Sequence, residues 1–563
     1  MIKDSNKIFL LGNEAIVRGA LASGVDFVAT YPGTPSSEIG NIFNKIAKEN
    51  GVYFEFSTNE KAALEAGIGA SFSGLKTMVA MKNFGLNVCL DSLIPFVYTG
   101  SKGATVIVVA DDPSCHSSAQ SEENTRPIAD LAHIPILEPA DPQECFDFVK
   151  LGFEISEKFS LPILIRTTTR VAHQSAQVSL GEIRNPKPLP GRQAGEIQNG
   201  RFVRDQKRFV TMPPRVLEMK KELLEKIEKI RLFAEQNTKN KTQNTKIGII
   251  TSGVSYLYVM EALKELNLNL PALKLDFFYP LPEKKIKSFI KNFKKVLIVE
   301  ELEPFLEKEI ERLAKEANCR LEIHGKDLLP IVGELKPEIV EVAIAKLVGR
   351  KLEIRNSKLE ISQIKHLPRF CPGCPYHMVF AAIKKATPLD AIFGGDIGCY
   401  MLGAIPPQGL YDYLSSMGSS IGIGHGVSKA TNQKVITFIG DSTFFHAGIP
   451  ALLNAVFNKS NPLIIILDNG TTAMTGHQPN PGTAVKKDSK YEFEWKGYGQ
   501  NSLASEKPLS IEEIVKACGV KNLKVVNSFN LSEVEAAVKE FLPRAEVSVI
   551  IARGICALLA KKL

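Results

Sequence analysis

A strand-length apolar run at 435–439 delivers Gly440-Asp441-Ser442, and a second at 463–467 delivers Asp468-Asn469-Gly470. Between them Ile449, Leu452, Leu453, Val456 and Phe457 recur at three- and four-residue steps, the spacing of a helix with one buried face. Strand, turn, helix, strand over about 30 residues is a βαβ return. It sets Asp441 and Asn469 side by side at the carboxyl edge of a parallel sheet, where open α/β sheets bind ligands. A carboxylate, an amide oxygen and the main-chain carbonyl of Thr471 suit a hard cation such as Mg²⁺, which leaves room for phosphate oxygens. Free N–H groups at the start of the following helix attract the same anion.

This arrangement resembles the thiamine-diphosphate motif, which runs from Gly-Asp-Gly to Asn-Asn and holds Mg²⁺-diphosphate. Gly440, Asp441, Ser442, Asn469 and Thr471 fall on its positions. The chain departs from it at Ser442, where Gly is usual, and at Asp468, where Asn is common. By residue pattern alone, an ordinary βαβ unit with Asp and Asn in its turns fits the same segment.

A chain of 563 residues has room for three or four domains. The pattern predicts an α/β protein in parts. Residues 1–180 form a first unit with strands at 27–30, 77–80, 105–109 and 161–165 and a helix at 62–72. Residues 181–245 read as a linker with a basic helix near 216–236. Residues 246–355 form a smaller α/β unit with strands at 247–251, 272–276 and 296–300. Residues 356–563 form a last unit that contains the opening motif and a strand at 547–552. The net charge of +8 is spread along the chain and forms no nucleic-acid stripe. There is no leader pattern and no apolar run of membrane-spanning length, so a cytoplasmic protein is expected, without nucleic acid or membrane as partner.

Nine cysteines in such a chain argue for free thiols rather than a disulfide framework. Cys371-Pro-Gly-Cys374 by itself fits a redox pair, half a zinc site or a turn. A zinc site wants a second close pair, and a thioredoxin-like pair wants its own small domain; both contexts are missing. An iron–sulfur cluster remains, with Cys371, Cys374, Cys399 and Cys556 as its thiolates from separate strand ends. Cys518 is the substitute for Cys556, although its helix-like setting favours the core. Cys89, Cys115, Cys145 and Cys319 read as buried, inert thiols.

Gly418-Ser-Ser-Ile-Gly422-Ile-Gly424-His425-Gly426 has the look of a dinucleotide loop, but a helical stretch at 411–416, not a strand, is expected before it. Small residues allowing close helix packing explain it better, with His425 either near a substrate or capping a helix. Phe84, Phe444 and Phe445 read as core rather than as an aromatic pocket.

Together with Met474-Thr-Gly-His-Gln478 and Gly395-Asp-Ile-Gly-Cys-Tyr400, these motifs resemble the 2-oxoacid:ferredoxin oxidoreductases. Leu11-Gly-Asn-Glu-Ala-Ile-Val-Arg-Gly-Ala20, Tyr31-Pro-Gly-Thr-Pro-Ser-Ser-Glu-Ile39 and Asp111-Asp-Pro-Ser-Cys-His-Ser-Ser118 narrow the likeness to the alpha subunits of indolepyruvate ferredoxin oxidoreductases. The resemblance implies two thiamine-diphosphate-type parallel-sheet domains, for pyrimidine and diphosphate, flanking a smaller transketolase-C-terminal-like domain. It implies that Glu60 hydrogen-bonds the aminopyrimidine and that Thr34 meets the substrate carboxylate. It implies Mg²⁺ on Asp441, Asn469 and the Thr471 carbonyl, and a [4Fe–4S] cluster on Cys371, Cys374, Cys399 and Cys556.

The implied reaction joins an arylpyruvate and coenzyme A into an aryl-acetyl-CoA and CO₂, with electrons passing to ferredoxin. A smaller beta subunit and a homodimer of this chain are implied as well. The family's usual C-terminal ferredoxin-like domain, with its C-x-x-C-x-x-C runs, has no counterpart before Leu563. That departure implies a ferredoxin or ferredoxin-like subunit acting in trans. It also keeps in view a non-oxidative 2-oxoacid decarboxylase releasing an aldehyde, and a non-catalytic paralogue.

Overall fold

The computed structural model describes residues 7–117, 120–180, 200–238, 245–350, 369–483 and 508–560. The Pro/Gly-rich start of the expected linker, at 181–199, and most of the bridge before Cys371 lie outside them. The chain divides into two compact units, Met1–Ser357 and Lys358–Leu563. Among the described residues no helix is long and apolar enough to cross a membrane.

The first unit is built on a seven-stranded sheet in the order Phe277–Tyr279, Ile136–Leu137, Ile163–Thr168, Thr105–Asp111, Thr77–Lys82, Phe27–Thr30, Tyr53–Phe56. Its strands are parallel except Phe277–Tyr279, which pairs antiparallel with Ile136–Leu137. Every residue of Thr105–Asp111 is buried, as expected of a strand covered by helices on both faces. A second sheet is four-stranded and parallel, ordered Ala272–Leu275, Ile247–Ser252, Lys295–Val299, Glu322–His324. The basic segment forms the 23-residue helix Arg215–Asn237, which buries Met219, Leu223, Ile227 and Ile230.

The chain expected to stay with the second sheet crosses over instead. After Leu275 it turns, and Phe277–Tyr279 becomes an edge strand of the first sheet. Charges are buried where the two sheets meet. The Arg126 guanidinium donates to both Glu138 oxygens, at 2.7 and 2.8 Å, and to the Glu301 carbonyl at 3.2 Å. Arg166 donates to Asp111 at 2.7 Å. Burial alone would raise the Glu138 carboxyl, but Arg126 and then Arg166 outweigh it and hold the group down to about 2. Burial pushes Glu301 the other way, up to about 7, against the same two arginines.

The second unit carries a five-stranded, all-parallel sheet ordered Ile392–Gly394, Val435–Gly440, Leu463–Asp468, Ser548–Arg553, Asn522–Asn527. All six residues of Val435–Gly440 are buried. Asp441 begins a helical run that passes through a π turn, Phe444–Gly448, into Ile449–Phe457. Phe84, Phe444 and Phe445 are buried, as core side chains should be.

Residues 411–416 are not helical. They bridge Gly394 at Tyr413, and the Tyr411 and Tyr413 hydroxyls donate to the carbonyls of Tyr400 and Ser420. Those tertiary bonds win over a weak local helix signal. The helix begins later, at Ser419–Ala430, and Asp396 caps it, accepting from the N–H groups of Gly418 at 2.7 Å and Ser420 at 2.8 Å. Burial raises this carboxyl to about 6 against those bonds. Gly424 lets the helix close on its strand, because a Cβ there would lie 2.3 Å from Thr437 Cγ2. His425 sits inside this helix and caps nothing.

Candidate active site

The strand ends of the second unit gather the expected ligands. Asp441 follows Val435–Gly440 directly, and Asn469 follows the neighbouring Leu463–Asp468. Asn469 Oδ1 accepts the Thr471 N–H at 3.0 Å, and its Nδ2 donates to the Tyr376 hydroxyl at 2.7 Å. These two partners fix which way the amide faces. Asp441 Oδ2 accepts from Asn480 at 3.1 Å. Ser442, in the place of glycine, shares a 2.9 Å hydrogen bond with the Thr472 hydroxyl. Gly440 has to be glycine: a Cβ would lie 2.7 Å from the Tyr400 ring. The Thr471 carbonyl accepts the Ala473 N–H at 3.0 Å and keeps a second lone pair.

A cleft of about 460 Å³ opens over this edge, lined among others by Asp441, Asp468, Asn469, Ser510 and Arg553. Arg553 donates to Asp468 at 2.7 Å and to Glu512 at 2.9 Å. Burial, then the neighbouring Asp468 carboxylate, push Asp441 up to about 7. A buried carboxylate held against a second one is a site that a cation stabilises. The donor set, one carboxylate with amide and main-chain oxygens, fits Mg²⁺ carrying phosphate. Among the described residues no group of three or more His, Cys, Asp or Glu side chains is arranged around a single metal position. A site with one carboxylate and two neutral oxygens falls outside such a group.

A second, smaller cavity, about 80 Å³, lies beside the cleft and shares Asn469 with it. Cys371, Cys374, Cys399 and Cys556 all line it, with Tyr376 and His477. The Cys371–Cys374 turn is closed by the Cys374 N–H donating to the Cys371 carbonyl at 3.0 Å, with Gly373 at φ +79°. Burial, with the other thiols of the group adding to it, pushes Cys374 up to about 11 and Cys399 up to about 12. The four thiols line one pocket, although no three of them surround a single metal position. Cys518 does not reach this cavity and packs in the core behind the helix Ile511–Ala517, so Cys556 needs no substitute. Cys89 and Cys145 are buried as expected, but Cys115 is only half-buried and Cys319 is exposed.

In the first unit, Glu60 is buried and opens the helix Glu60–Phe72, whose N-cap Asn59 accepts from the Ala62 N–H. It is not the exposed helix-end charge that an isolated glutamate suggests. Thr34 is half-buried in the loop between Phe27–Thr30 and the helix Ser37–Ile46. Lys82 ends the adjacent strand Thr77–Lys82, and its Nζ donates to Gln120 Oε1 at 3.3 Å. A Cβ on Gly33 would lie 2.9 Å from Lys82 Cγ, and one on Gly85 would lie 2.5 Å from Glu60 Cγ. Burial lowers the Lys82 ammonium, and Glu60 opposes that most among the charges around it.

Lys82, Tyr376 and His477 were not legible as site residues. Tyr376 stands two positions after Cys374, and Lys82 ends an apolar strand. Position at a strand end is the signal that could have found Lys82.

Residues 18–239 match the family described as "Pyruvate flavodoxin/ferredoxin oxidoreductase, thiamine diP-bdg", and residues 396–552 match "Thiamine pyrophosphate enzyme, C-terminal TPP binding domain". The fold and these matches define an enzyme of the thiamine-diphosphate-dependent 2-oxoacid oxidoreductase class. The chain is 43% identical over 570 residues to the indolepyruvate oxidoreductase subunit IorA of Methanothermobacter thermautotrophicus, covering 99% of this chain and 88% of that one. It is 42% identical over 583 residues to the protein of the same name from Pyrococcus horikoshii, covering 99% and 86%. The chain belongs to this family of IorA subunits. A solved structure of 2-oxoglutarate:ferredoxin oxidoreductase from Magnetococcus marinus is 18% identical, with a TM-score of 0.49 over 61% of this chain and 65% of that one.

Proposed function

We propose that this chain is the catalytic subunit of an oxidoreductase that converts an arylpyruvate and coenzyme A into the aryl-acetyl-CoA and CO₂. Two electrons leave one at a time for two molecules of oxidised ferredoxin, and one proton is released. The observation that carries this reading is the cavity in which Cys371, Cys374, Cys399 and Cys556 meet, sharing Asn469 with the Asp441 cleft. A plain decarboxylase has no use for a thiol pocket beside its cofactor cleft.

Asp441, Asn469 and the Thr471 carbonyl would hold Mg²⁺, and the cleft beside Gly440 and Ser442 would take the diphosphate. Bound thiamine diphosphate would supply the nucleophilic carbon and the electron sink for decarboxylation. A [4Fe–4S] cluster on the four cysteines would supply one-electron transfer. Glu60 is the carboxylate for the aminopyrimidine, and its burial keeps water from competing for that bond. Thr34 and the Lys82 ammonium are the groups for the substrate carboxylate. In this division residues 1–180 take the pyrimidine ring and 356–563 the diphosphate, with 181–245 and 246–355 between them. The partners are a smaller beta subunit, a ferredoxin or ferredoxin-like subunit and a second copy of this chain, in the cytoplasm.

The test is anaerobic purification with the beta subunit, iron and sulfide counting, and EPR of the reduced protein. Near four iron and four sulfide per chain, lost in Cys371→Ala, is the expected result. Aldehyde formed from indolepyruvate without an electron acceptor, by a protein free of iron, would replace this reading with the non-oxidative one.

A further inference from the structure

His477 points its ring at one of the four cavity cysteines. Its Nε2 lies 3.5 Å from Cys556 Sγ, and the residue lines the same cavity as Cys371, Cys374 and Cys399. The backbone that places it there is unusual. His477 has φ +66°, in the left-handed region that side chains other than glycine seldom enter.

The loop around it is closed by several hydrogen bonds. The His477 N–H donates to the Thr472 carbonyl at 2.9 Å, and Thr472 and Gln478 form an antiparallel bridge. The fully buried Gln478 closes the loop from inside, donating to the Thr475 carbonyl at 2.8 Å and accepting from the Thr475 hydroxyl at 2.7 Å. These bonds hold the loop in the conformation that sets the His477 ring beside the Cys556 thiol.

We propose that His477 is a positioning residue for the cysteine cluster, its Nε2–H donating a hydrogen bond to the Cys556 thiolate and raising the reduction potential of the cluster that thiolate holds. The proposal rests on the cluster reading above. A thiolate bound to iron can only accept, so the imidazole must be the donor. A hydrogen bond to a ligand sulfur draws off part of its charge, which favours the reduced, more negative cluster. The loop that begins at Thr471 therefore serves both neighbouring sites, offering its first carbonyl to the cation and His477 to the thiol cavity.

His477→Gly is the variant of choice, because glycine accepts φ +66° and only the ring is lost. The full chain is purified anaerobically, its iron counted, and its cluster titrated by EPR at set potentials. The expected result is a lower midpoint: at a fixed potential the oxidised-to-reduced ratio rises about tenfold, about 59 mV for a one-electron couple. An unchanged midpoint with full iron would overturn this proposal and leave the cluster reading standing. Wild-type chain without iron would overturn both. Should the glycine variant lose its cluster, pulsed EPR on the reduced wild-type chain with ¹⁵N-histidine decides. A weakly coupled histidine nitrogen supports the hydrogen bond, whereas no coupling, or the strong coupling of a nitrogen bound to iron, rejects it.

Discussion

Asn469 donates its amide to the Tyr376 hydroxyl at 2.7 Å, and Tyr376 stands in the wall of the cysteine cavity while Asn469 borders both that cavity and the cofactor cleft. One hydrogen bond thus joins a candidate cation ligand to the turn that carries Cys371 and Cys374. Tyr376→Phe keeps the ring and removes the acceptor, leaving a buried amide donor unpaired at a cost of about 1–3 kcal/mol. Affinity for Mg²⁺-thiamine diphosphate should fall by about 10- to 100-fold, as for other partners that orient metal ligands. Isothermal titration of the full chain measures it, and an affinity equal to wild type would show that Asn469 holds its orientation unaided.

The Asp441 carboxyl costs the cofactor-free chain stability at neutral pH. Its carboxyl is raised to about 7, above its value in the unfolded chain, so its contribution to stability is full at low pH and is lost as pH rises through 7. Asp441→Asn removes that loss. The cofactor-free variant should melt no lower than wild type at pH 5 and higher at pH 8, yet show no stabilisation by added Mg²⁺ and thiamine diphosphate. Thermal melts at the two pH values, with and without cofactor, check both halves.

Gly85→Ala drives a methyl group into the Glu60 side chain, since the added Cβ would lie 2.5 Å from Glu60 Cγ and 3.0 Å from Cδ and Oε1 of its carboxylate. Displacement of a reacting group by an ångström costs about 100-fold in rate. The expected outcome is a loss of turnover of that order with a stability cost of about 1–3 kcal/mol for overpacking. Normal turnover in this variant would mean that Glu60 can move aside and still work.

Arg126→Met strips the buried Glu138 of its two-pronged partner, both side chains being 1% exposed. Breaking such a pair costs about 3–5 kcal/mol. Arg126→Lys should recover little, because one ammonium cannot match two carboxylate oxygens. Calorimetry of the full chain should show the transition of the first unit moving down while that of the second stays in place.

The same cluster sets a pH dependence. Glu138, held down to about 2, contributes stability that is complete above the ordinary glutamate value and is lost as pH falls toward 2. Glu301, raised to about 7, contributes most below the ordinary value and loses it as pH rises through 7. Their combined contribution is greatest near the ordinary glutamate pKa and declines on both sides. Glu301→Gln should flatten the limb on the neutral side and leave the acid limb unchanged, as read from melting temperatures between pH 3 and pH 8.

The strands at 435–440 and 463–468 were legible because they are continuous apolar runs closed by turn residues, and that pattern needs no tertiary information. The four cavity cysteines were legible through spacing and family likeness, and Cys556 was preferred over Cys518 because Cys518 sits in a helical pattern. Tyr411–Ser416 was misread as helix, since its tyrosines are committed to distant carbonyls that a local window does not contain. Asp396 was quoted only as part of a motif, and its role as the cap of Ser419–Ala430 depends on a chain reversal more than twenty residues long. His477 was quoted only within the Met474–Gln478 motif, and its left-handed backbone and its place beside Cys556 depend on contacts that the motif does not contain.

The strand Phe277–Tyr279 crosses from its own neighbourhood to lie against Ile136–Leu137. A fragment ending near residue 180 would therefore lose its edge guard. It would expose Ile136 and Leu137, both fully buried in the intact chain, as an unpaired apolar sheet margin open to self-association. Anyone wishing to express the amino-terminal unit alone should carry the cut to the end of that unit, near Ser357, which keeps both sheets whole.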